Sequence, residues 1–457
     1  MSNLIVSISG VRGIVGSSLT PDVVTRYAAA FASFSNGDTI VVGRDGRMSG
    51  EAISRSVVGT LNLCGYTVID LGMAPTPTVQ MAVSAYGAAG GIAITASHNP
   101  EQWNGLKFLN RKGIFLDTNE SRAFLARLDV EPCFVTWDNV GRVKHDTDFI
   151  KSHIQAVLAL KGIDLDAIRG REFSVIVDAV NASGSVVIPA LLRELGCRVI
   201  PIACDGSGHF PHLPEPLPGN LRSLGEAVLA HGADLGIAVD PDADRLVLYS
   251  ETGEPFGEEY TITTAVDGYL SMGTVPAGSP VVVNLSTTRA VEDVAARYAV
   301  AVERTPVGEI NVVKRMLETG SVIGGEGSGG VIVPAVHPGR DSLVGLVLAL
   351  HTLAAFGGAA SEYRASLPAY TIVKRKFNLD GMNPDDIIER AASSFSSENV
   401  DTRDGVRIDF ESGWVHLRKS NTEPILRVIA EAGTTERAES LARQVMETCM
   451  PGTLQPI

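Results

Sequence analysis

Three aspartates alternate in Asp240-Pro241-Asp242-Ala243-Asp244-Arg245, directly after the strand-like run Asp234–Val239. In extended or turning backbone this spacing brings three carboxylates to one point. Oxygen donors at that density suit a hard divalent cation, Mg²⁺ or Ca²⁺. Left unpaired, the three would repel and raise one another's pKa values, so a cation is expected among them. Counted from Asp240, Glu251 falls at position 12 of an EF-hand loop. Position 6 is Arg245 instead of the required Gly, and Leu246–Tyr249 reads as a strand, so the EF-hand is rejected.

A second polar loop, Thr95-Ala96-Ser97-His98-Asn99-Pro100, offers a hydroxyl on a tight turn. Ser97 there suits a nucleophile or a phosphoryl carrier, provided a metal or a base lies beside it. His98 is its neighbour in sequence, so the imidazole need not face it. Lys107 follows ten residues on and can return to the site as a point charge or proton donor. A third loop, Gly325-Glu326-Gly327-Ser328-Gly329-Gly330, has GxGxxG spacing. A dinucleotide fingerprint must open a helix, whereas Val331-Ile332-Val333 reads as a strand. Glu326 and Ser328 are better taken as groups that bind hydroxyls, since carboxylates commonly grip vicinal diols of sugars. A fourth loop carries Arg418, Ser420, Asn421 and Thr422, with Arg427 beyond it. Two guanidiniums, hydroxyls and turn amides make an anion nest suited to phosphate. No Walker A pattern occurs, which removes the P-loop reading. Metal, carrier hydroxyl, sugar grip and a separate phosphate grip are together the requirements of phosphoryl transfer on a sugar phosphate.

The elements that must position these loops repeat. Strands at Thr39–Val42, Tyr66–Leu71 and Gly91–Thr95 alternate with helices at Gly50–Cys64 and Thr76–Tyr86. The pattern recurs with strands Phe173–Val177, Arg198–Ala203 and Asp234–Val239 and helices Ser183–Leu195 and Asn220–His231. It recurs again with strands Pro280–Asn284, Ala299–Arg304 and Ser321–Ile323 and helices Arg289–Tyr298 and Gly308–Glu318. Each β-α-β-α-β unit ends in one of the first three polar loops, and ligands of open α/β sheets bind beyond the carboxyl ends of strands. The fold class is therefore α/β: three similar mixed-sheet domains around one central cleft, with a smaller α+β domain at the C-terminus. That last domain has expected strands Lys374–Leu379, Val406–Phe410, Trp414–Arg418 and Ile425–Glu431, and helices Pro384–Phe395 and Thr435–Met450. The expected boundaries are 1–145, 146–249, 250–367 and 368–457.

Composition narrows the function classes. Of 457 residues 45% are hydrophobic, enough for real cores, and the net charge of −14 argues against a nucleic-acid or polybasic membrane surface. The run Lys374-Arg375-Lys376 reads as a solvated face. No apolar stretch reaches membrane-spanning length and no signal peptide is read. Five cysteines without a CxxC pair are expected to be reduced thiols, and the location cytoplasmic.

These motifs resemble those of the α-D-phosphohexomutases, a family that includes phosphoglucomutases, phosphomannomutases and phosphoglucosamine mutases. The resemblance runs from Ser9-Gly10-Val11-Arg12-Gly13 through Gly43-Arg44-Asp45-Gly46-Arg47 to the phosphate loop, and is most specific at the Ser97 and Asp240–Arg245 loops. It implies that Ser97 is a phosphoserine and that Asp240, Asp242, Asp244 and a phosphoserine oxygen bind Mg²⁺. It implies that Arg12, Lys107 and Arg245 line the reacting phosphate and that Glu326 and Ser328 read sugar hydroxyls. Arg418, Ser420, Asn421, Thr422 and Arg427 would hold the other phosphate. A sugar 1,6-bisphosphate would be the intermediate and activator, and the protein a monomer or homodimer with a phosphorylated hexose or hexosamine as its partner. Several relatives carry a His four residues after the sugar-loop Glu; here that position is Gly330, and His337 is a nearby substitute. Thr305-Pro306-Val307-Gly308-Glu309, with Gly308 as a substrate contact, is similar to the loop of phosphoglucosamine mutases. Glucosamine 6-phosphate is thus the first expectation, with glucose and mannose phosphates as alternatives. A serine phosphatase and a non-catalytic sugar-phosphate sensor compete with this reading. The separate phosphate grip opposes the phosphatase, and the intact Ser97 and aspartates oppose the sensor.

Overall fold

The computed structural model describes residues 4–8, 10–379, 381–419 and 425–450. They form two compact units, one of residues 1–275 and 328–364, the other of residues 276–327 and 365–457.

The first unit contains two sheets. The larger has seven strands in the order Ile5–Ser7, Gly10–Ile14, Trp103–Leu109, Gly90–Ile94, Thr39–Arg44, Thr67–Met73 and Val143–His145. Its middle strands Gly90–Ile94, Thr39–Arg44 and Thr67–Met73 are parallel, whereas Trp103–Leu109 runs antiparallel to Gly90–Ile94. That antiparallel return carries the chain past the Ser97 loop and sets Lys107 opposite Ala93 in register. The smaller sheet is ordered Leu246–Ser250, Leu235–Val239, Ser174–Asp178, Arg198–Ala203, again with one antiparallel edge. Three of its strands are buried at every position, which is why they read as continuous apolar runs. Helix Ser342–Phe356 is apolar all round and packs against Glu259–Ser271 as a core helix. Among the described residues no single helix is long and apolar enough to cross a membrane.

In the second unit the parallel strands Val302–Thr305, Val281–Asn284 and Gly324–Glu326 lie side by side. A five-stranded antiparallel sheet follows, ordered Thr371–Asn378, Ile425–Ala432, Gly413–Lys419, Val406–Phe410, Asn399–Asp401. Helices Pro384–Ser394 and Thr435–Cys449 cover one face, burying Ile387, Ala391, Leu441, Val445 and Met446 against Val415, Leu417 and Val428.

The expected fold class holds: α/β sheets of repeated pattern and a smaller C-terminal α+β sheet. One strand is misplaced by the sequence reading. Ser321–Ile323 is not a strand; Gly324–Glu326 is, paired through Val282↔Gly324 and Val283↔Gly325. Glycines have low strand propensity, but a parallel partner supplies the ladder, so tertiary pairing overrides the local preference. Glu326 consequently ends a strand. All five cysteines are free thiols.

Candidate functional site

The Ser97 loop is built on a buried arginine that the motif reading quoted but gave no role. Arg47 and Asp45 have fully buried side chains joined by a 2.9 Å ion pair. Arg47 donates through Nη2 to the carbonyls of Ser97 and Asn99, and through Nη1 to those of Pro100 and Trp103. With Nε on Asp45, all five N–H groups of the guanidinium are used. Thr95 Oγ1 donates to Asp45 and accepts the Ser97 amide. Burial raises the Asp45 pKa, and the Arg47 charge opposes it. This scaffold holds Ser97 at φ +50°, a left-handed conformation that costs a non-glycine residue of order 1 kcal/mol or more. Arg47→Lys leaves several of those carbonyls without a donor. It is expected to lower stability by about 3 kcal/mol, read as a drop in Tm; an unchanged Tm would contradict the scaffold role.

The aspartate loop follows strand Leu235–Val239. Asp240 Oδ1 accepts the amides of Asp244 and Arg245, which folds the loop back on its first residue. Ala243 sits at φ +49°, and its carbonyl accepts the Ser342 hydroxyl. Ser97 Oγ donates to Asp240 Oδ2 at 3.3 Å, so the two loops meet at the hydroxyl. Lys107 Nζ donates to Asp242 Oδ2 at 2.7 Å and lies 3.5 Å from Asp244. Arg245 Nε stands 3.6 Å from Asp244 and 4.0 Å from Asp240. Arg12 donates to the Asn99 side chain.

Charge is unevenly shared among the three aspartates, all buried. Burial, then Asp244 and Asp242, push the Asp240 pKa well above the usual carboxylate range. Burial acts the same way on Asp244, but Arg340, Lys107 and Arg245 outweigh it and hold that group below the range. Burial alone would lower the Lys107 pKa; Asp242 and Asp244 more than reverse it, so its ammonium stays charged. His98, its Nδ1 3.5 Å from Ser97 Oγ, is driven down to about 2 by burial and the Arg245 and Arg12 charges. It is a neutral imidazole.

The donors fit a hard cation. One carboxylate oxygen from each aspartate lies within 4.8 Å of the others. Asp242 Oδ1 and Asp244 Oδ1 are buried and accept no hydrogen bond, which is costly for ionised oxygen unless a cation takes its place.

Arg340 was given no role by the sequence reading, and it explains Gly330. Its Nη2 donates to Asp244 at 2.6 Å, and a Cβ at Gly330 would fall 2.3 Å from Arg340 Cδ. The space that a side chain would need at 330 is filled by the arginine. Gly330→Ala is expected to cost about 1–3 kcal/mol by overpacking and to free Arg340 from Asp244. The cost should vanish in an Arg340→Ala background when melting temperatures of the four proteins are compared. His337, the nearby candidate for the role of the histidine absent at 330, is buried beside Asp341 and His153.

In the second unit, Glu326 Oε1 accepts from Asn284 Nδ2 at 2.8 Å and from the Gly308 amide at 3.2 Å. Gly308 has φ +122°, which only glycine adopts readily, and it opens helix Glu309–Thr319. Ser328 lies in the first unit, half-exposed in the turn before Gly330–Ile332. Arg418 and Arg427 are cross-strand partners, and Lys376 pairs with Arg427 on its other side. Three cations thus stand in one row across the sheet. Like charges so placed repel, unless an anion joins them. The run Lys374-Arg375-Lys376 therefore contributes one residue to the row, a pairing that sequence spacing does not reveal. Arg418 Nε is 2.9 Å from Asp404 Oδ2, which also accepts the Val307 amide. Ser420, Asn421 and Thr422 lie outside the described residues.

Family models of the phosphoglucomutase/phosphomannomutase α/β/α domains I, II and III match residues 4–130, 151–253 and 258–370, and the C-terminal domain model matches 373–448. A "Phosphoglucomutase/phosphomannomutase" of Thermococcus kodakarensis is 36% identical over 97% of this chain and 98% of its own. A "Probable phosphoglucosamine mutase" of Methanopyrus kandleri is 34% identical over 96% of both. A crystal structure of a phosphoglucomutase/phosphomannomutase family protein from Burkholderia thailandensis shares the fold with a TM-score of 0.84, at 24% identity, over 99% of this chain and 100% of that one. The chain belongs to the phosphoglucomutase/phosphomannomutase family, the α-D-phosphohexomutases, and is an isomerase that transfers a phosphoryl group within a sugar phosphate.

Proposed function

We propose that the protein interconverts a hexosamine 6-phosphate and its 1-phosphate, glucosamine phosphate first, through phospho-Ser97 and a sugar 1,6-bisphosphate, with Mg²⁺ held by Asp240, Asp242, Asp244 and Ser97. The observation that carries the reading is the Ser97 hydroxyl beside Asp240 in a pocket of buried aspartates. Mg²⁺ bound there would supply charge neutralisation for the moving phosphoryl group.

The chain's own residues do the rest. Arg47 fixes the Ser97 loop, so that the phosphoryl group is presented in one orientation. In the first half-reaction the P–O bond to Ser97 Oγ breaks as one to a sugar hydroxyl forms, and one proton passes overall from that hydroxyl to Ser97 Oγ. Lys107, charged at neutral pH, and Arg245 and Arg12 stabilise the anion as it moves. The bisphosphate then turns end for end, and its other sugar P–O bond breaks as one to Ser97 Oγ forms, the Ser97 proton passing overall to the freed sugar oxygen. Free 1,6-bisphosphate would prime unphosphorylated Ser97 and act as activator. In the second unit, Arg418 and Arg427, with Ser420, Asn421 and Thr422, are assigned to the phosphate that does not react. Gly308, Glu326 and Ser328 are assigned to the sugar. A buried carboxylate at 326 suits an ammonium at carbon 2 as well as hydroxyls.

The domains are assigned as 1–145, 146–249, 250–367 and 368–457, and the enzyme as a cytoplasmic monomer or homodimer. A second substrate class, glucose or mannose phosphate, is favoured by the name of the Thermococcus relative. A coupled assay with Mg²⁺ and a trace of 1,6-bisphosphate decides between them. Higher kcat/KM for glucosamine 6-phosphate than for glucose or mannose 1-phosphate is the expected result. The reverse order would keep the mutase and remove the amino-sugar assignment.

A further inference from the structure

A second cluster of potential ligands stands apart from the aspartate loop, and the proposed reaction makes no use of it. His153 comes from helix Phe149–Leu158; His337 and Asp341 come from the segment joining strand Gly330–Ile332 to helix Ser342–Phe356. Each offers one ligand atom, and the three atoms lie within 4.8 Å of one another. All three residues are buried, His337 being the most accessible at 5%. His153 Nε2 is 2.8 Å from Asp341 Oδ2, and His337 Nε2 is 3.3 Å from the same oxygen. The rings lie edge to face with centroids 6.0 Å apart.

His153 is accounted for by hydrogen bonds, to Asp341 at Nε2 and with Thr78 Oγ1 at Nδ1. His337 is not. Its Nδ1 has no hydrogen-bond partner although the residue is buried, and its Nε2 has the Asp341 carboxylate at 3.3 Å without good hydrogen-bond alignment. A buried ring nitrogen left without a partner is costly. Tetrahedral bonds of about 2.0–2.1 Å place ligand atoms about 3.3 Å apart. The two separations at Asp341 Oδ2, 2.8 and 3.3 Å, are close to that geometry.

We propose that His153, His337 and Asp341 form a buried site for a transition-metal ion of the zinc class, with a water in the fourth position. Two imidazoles and one carboxylate are borderline-soft donors that select zinc-like ions over magnesium, whereas the all-carboxylate loop does the opposite. The outer partners of such a site are also present. Thr78 orients the His153 ring, and the Leu343 amide donates to Asp341 Oδ1. The site is joined to the reaction centre through the chain. Asp341 stands between Arg340, which holds Asp244, and Ser342, whose hydroxyl holds the Ala243 carbonyl. An ion at Asp341 therefore fixes the segment that grips the aspartate loop.

The test uses the whole protein, stripped with chelator and given micromolar Co²⁺ in millimolar Mg²⁺. Co²⁺ takes zinc sites and reports tetrahedral ligation by its visible absorption. The expected result is one tightly bound equivalent with the intense tetrahedral bands. It should persist in the Asp240→Asn/Asp242→Asn protein and be lost in His337→Gln and in His153→Gln. Binding of less than half an equivalent by the wild type would overturn the site. So would uptake unchanged in a folded histidine variant, or uptake lost in the aspartate variant. Should neither histidine variant fold, the wild-type Co²⁺ protein still decides. Paramagnetically shifted, exchangeable imidazole N–H signals support histidine ligation, and their absence contradicts it.

Discussion

Ser97→Ala is expected to lower kcat by at least about 10³-fold, roughly 4 kcal/mol of barrier, with KM changed by less than about twofold. In the proposed mechanism the hydroxyl is the atom that carries the phosphoryl group. Lys107 is committed as a cation to Asp242 and Asp244, so its amine has no free lone pair to take the hydroxyl's place. The scaffold should survive the change. Arg47 binds the Ser97 carbonyl and Thr95 binds its amide, so the side chain contributes only its link to Asp240. Alanine at φ +50° carries the same backbone strain as serine. Steady-state kinetics, with mass spectrometry for the lost phosphate, checks both halves. Wild-type turnover by Ser97→Ala would remove the carrier assignment.

Asp240→Asn should produce two effects of opposite sign. Turnover falls about 10²–10³-fold, because one of the three aspartates proposed to hold the cation loses its charge. Stability of the metal-free protein rises by about 1–2 kcal/mol. Burial and the neighbouring Asp244 and Asp242 charges make ionised Asp240 unfavourable, and asparagine relieves that repulsion. Its amide oxygen can still accept the Asp244 and Arg245 amides. The sign with pH follows from linkage. A carboxyl whose folded pKa is raised contributes stability that is fully present below its unfolded pKa and is lost as pH rises through the folded value. The gain from asparagine is therefore small in acid and grows toward neutral pH. Thermal melts with and without Mg²⁺ read all of this. The variant should melt higher than wild type without the ion and gain less from adding it. A lower metal-free Tm at neutral pH would contradict the account.

The chemistry was more legible in the sequence than its supports were. The aspartate spacing and the Ser97 loop could be read because alternation and turn residues act locally. Lys107 was legible too, as a cation a short strand away. What escaped depended on contacts between distant segments. Arg340 reaches Asp244 across 96 positions and Arg47 reaches Ser97 across 50, and no local pattern announces either. Gly330 looked like a missing functional group until the arginine filling its space was seen. Lys376 is exposed, as a solvated charge should be, but strand register, which sets it opposite Arg427, is not written in spacing. The strand at Gly324–Glu326 failed for a related reason: its glycines have no intrinsic preference for the conformation its neighbour imposes.

The central claim is that Ser97 lends a phosphoryl group to a sugar phosphate and takes one back. Rapid quench of protein labelled with ³²P at Ser97, mixed with unlabelled glucosamine 6-phosphate and Mg²⁺, tests it most directly. The account predicts that label leaves the protein within one turnover and appears in sugar bisphosphate and then in monophosphate. Label released as inorganic phosphate, or retained on Ser97 while product accumulates, would contradict it.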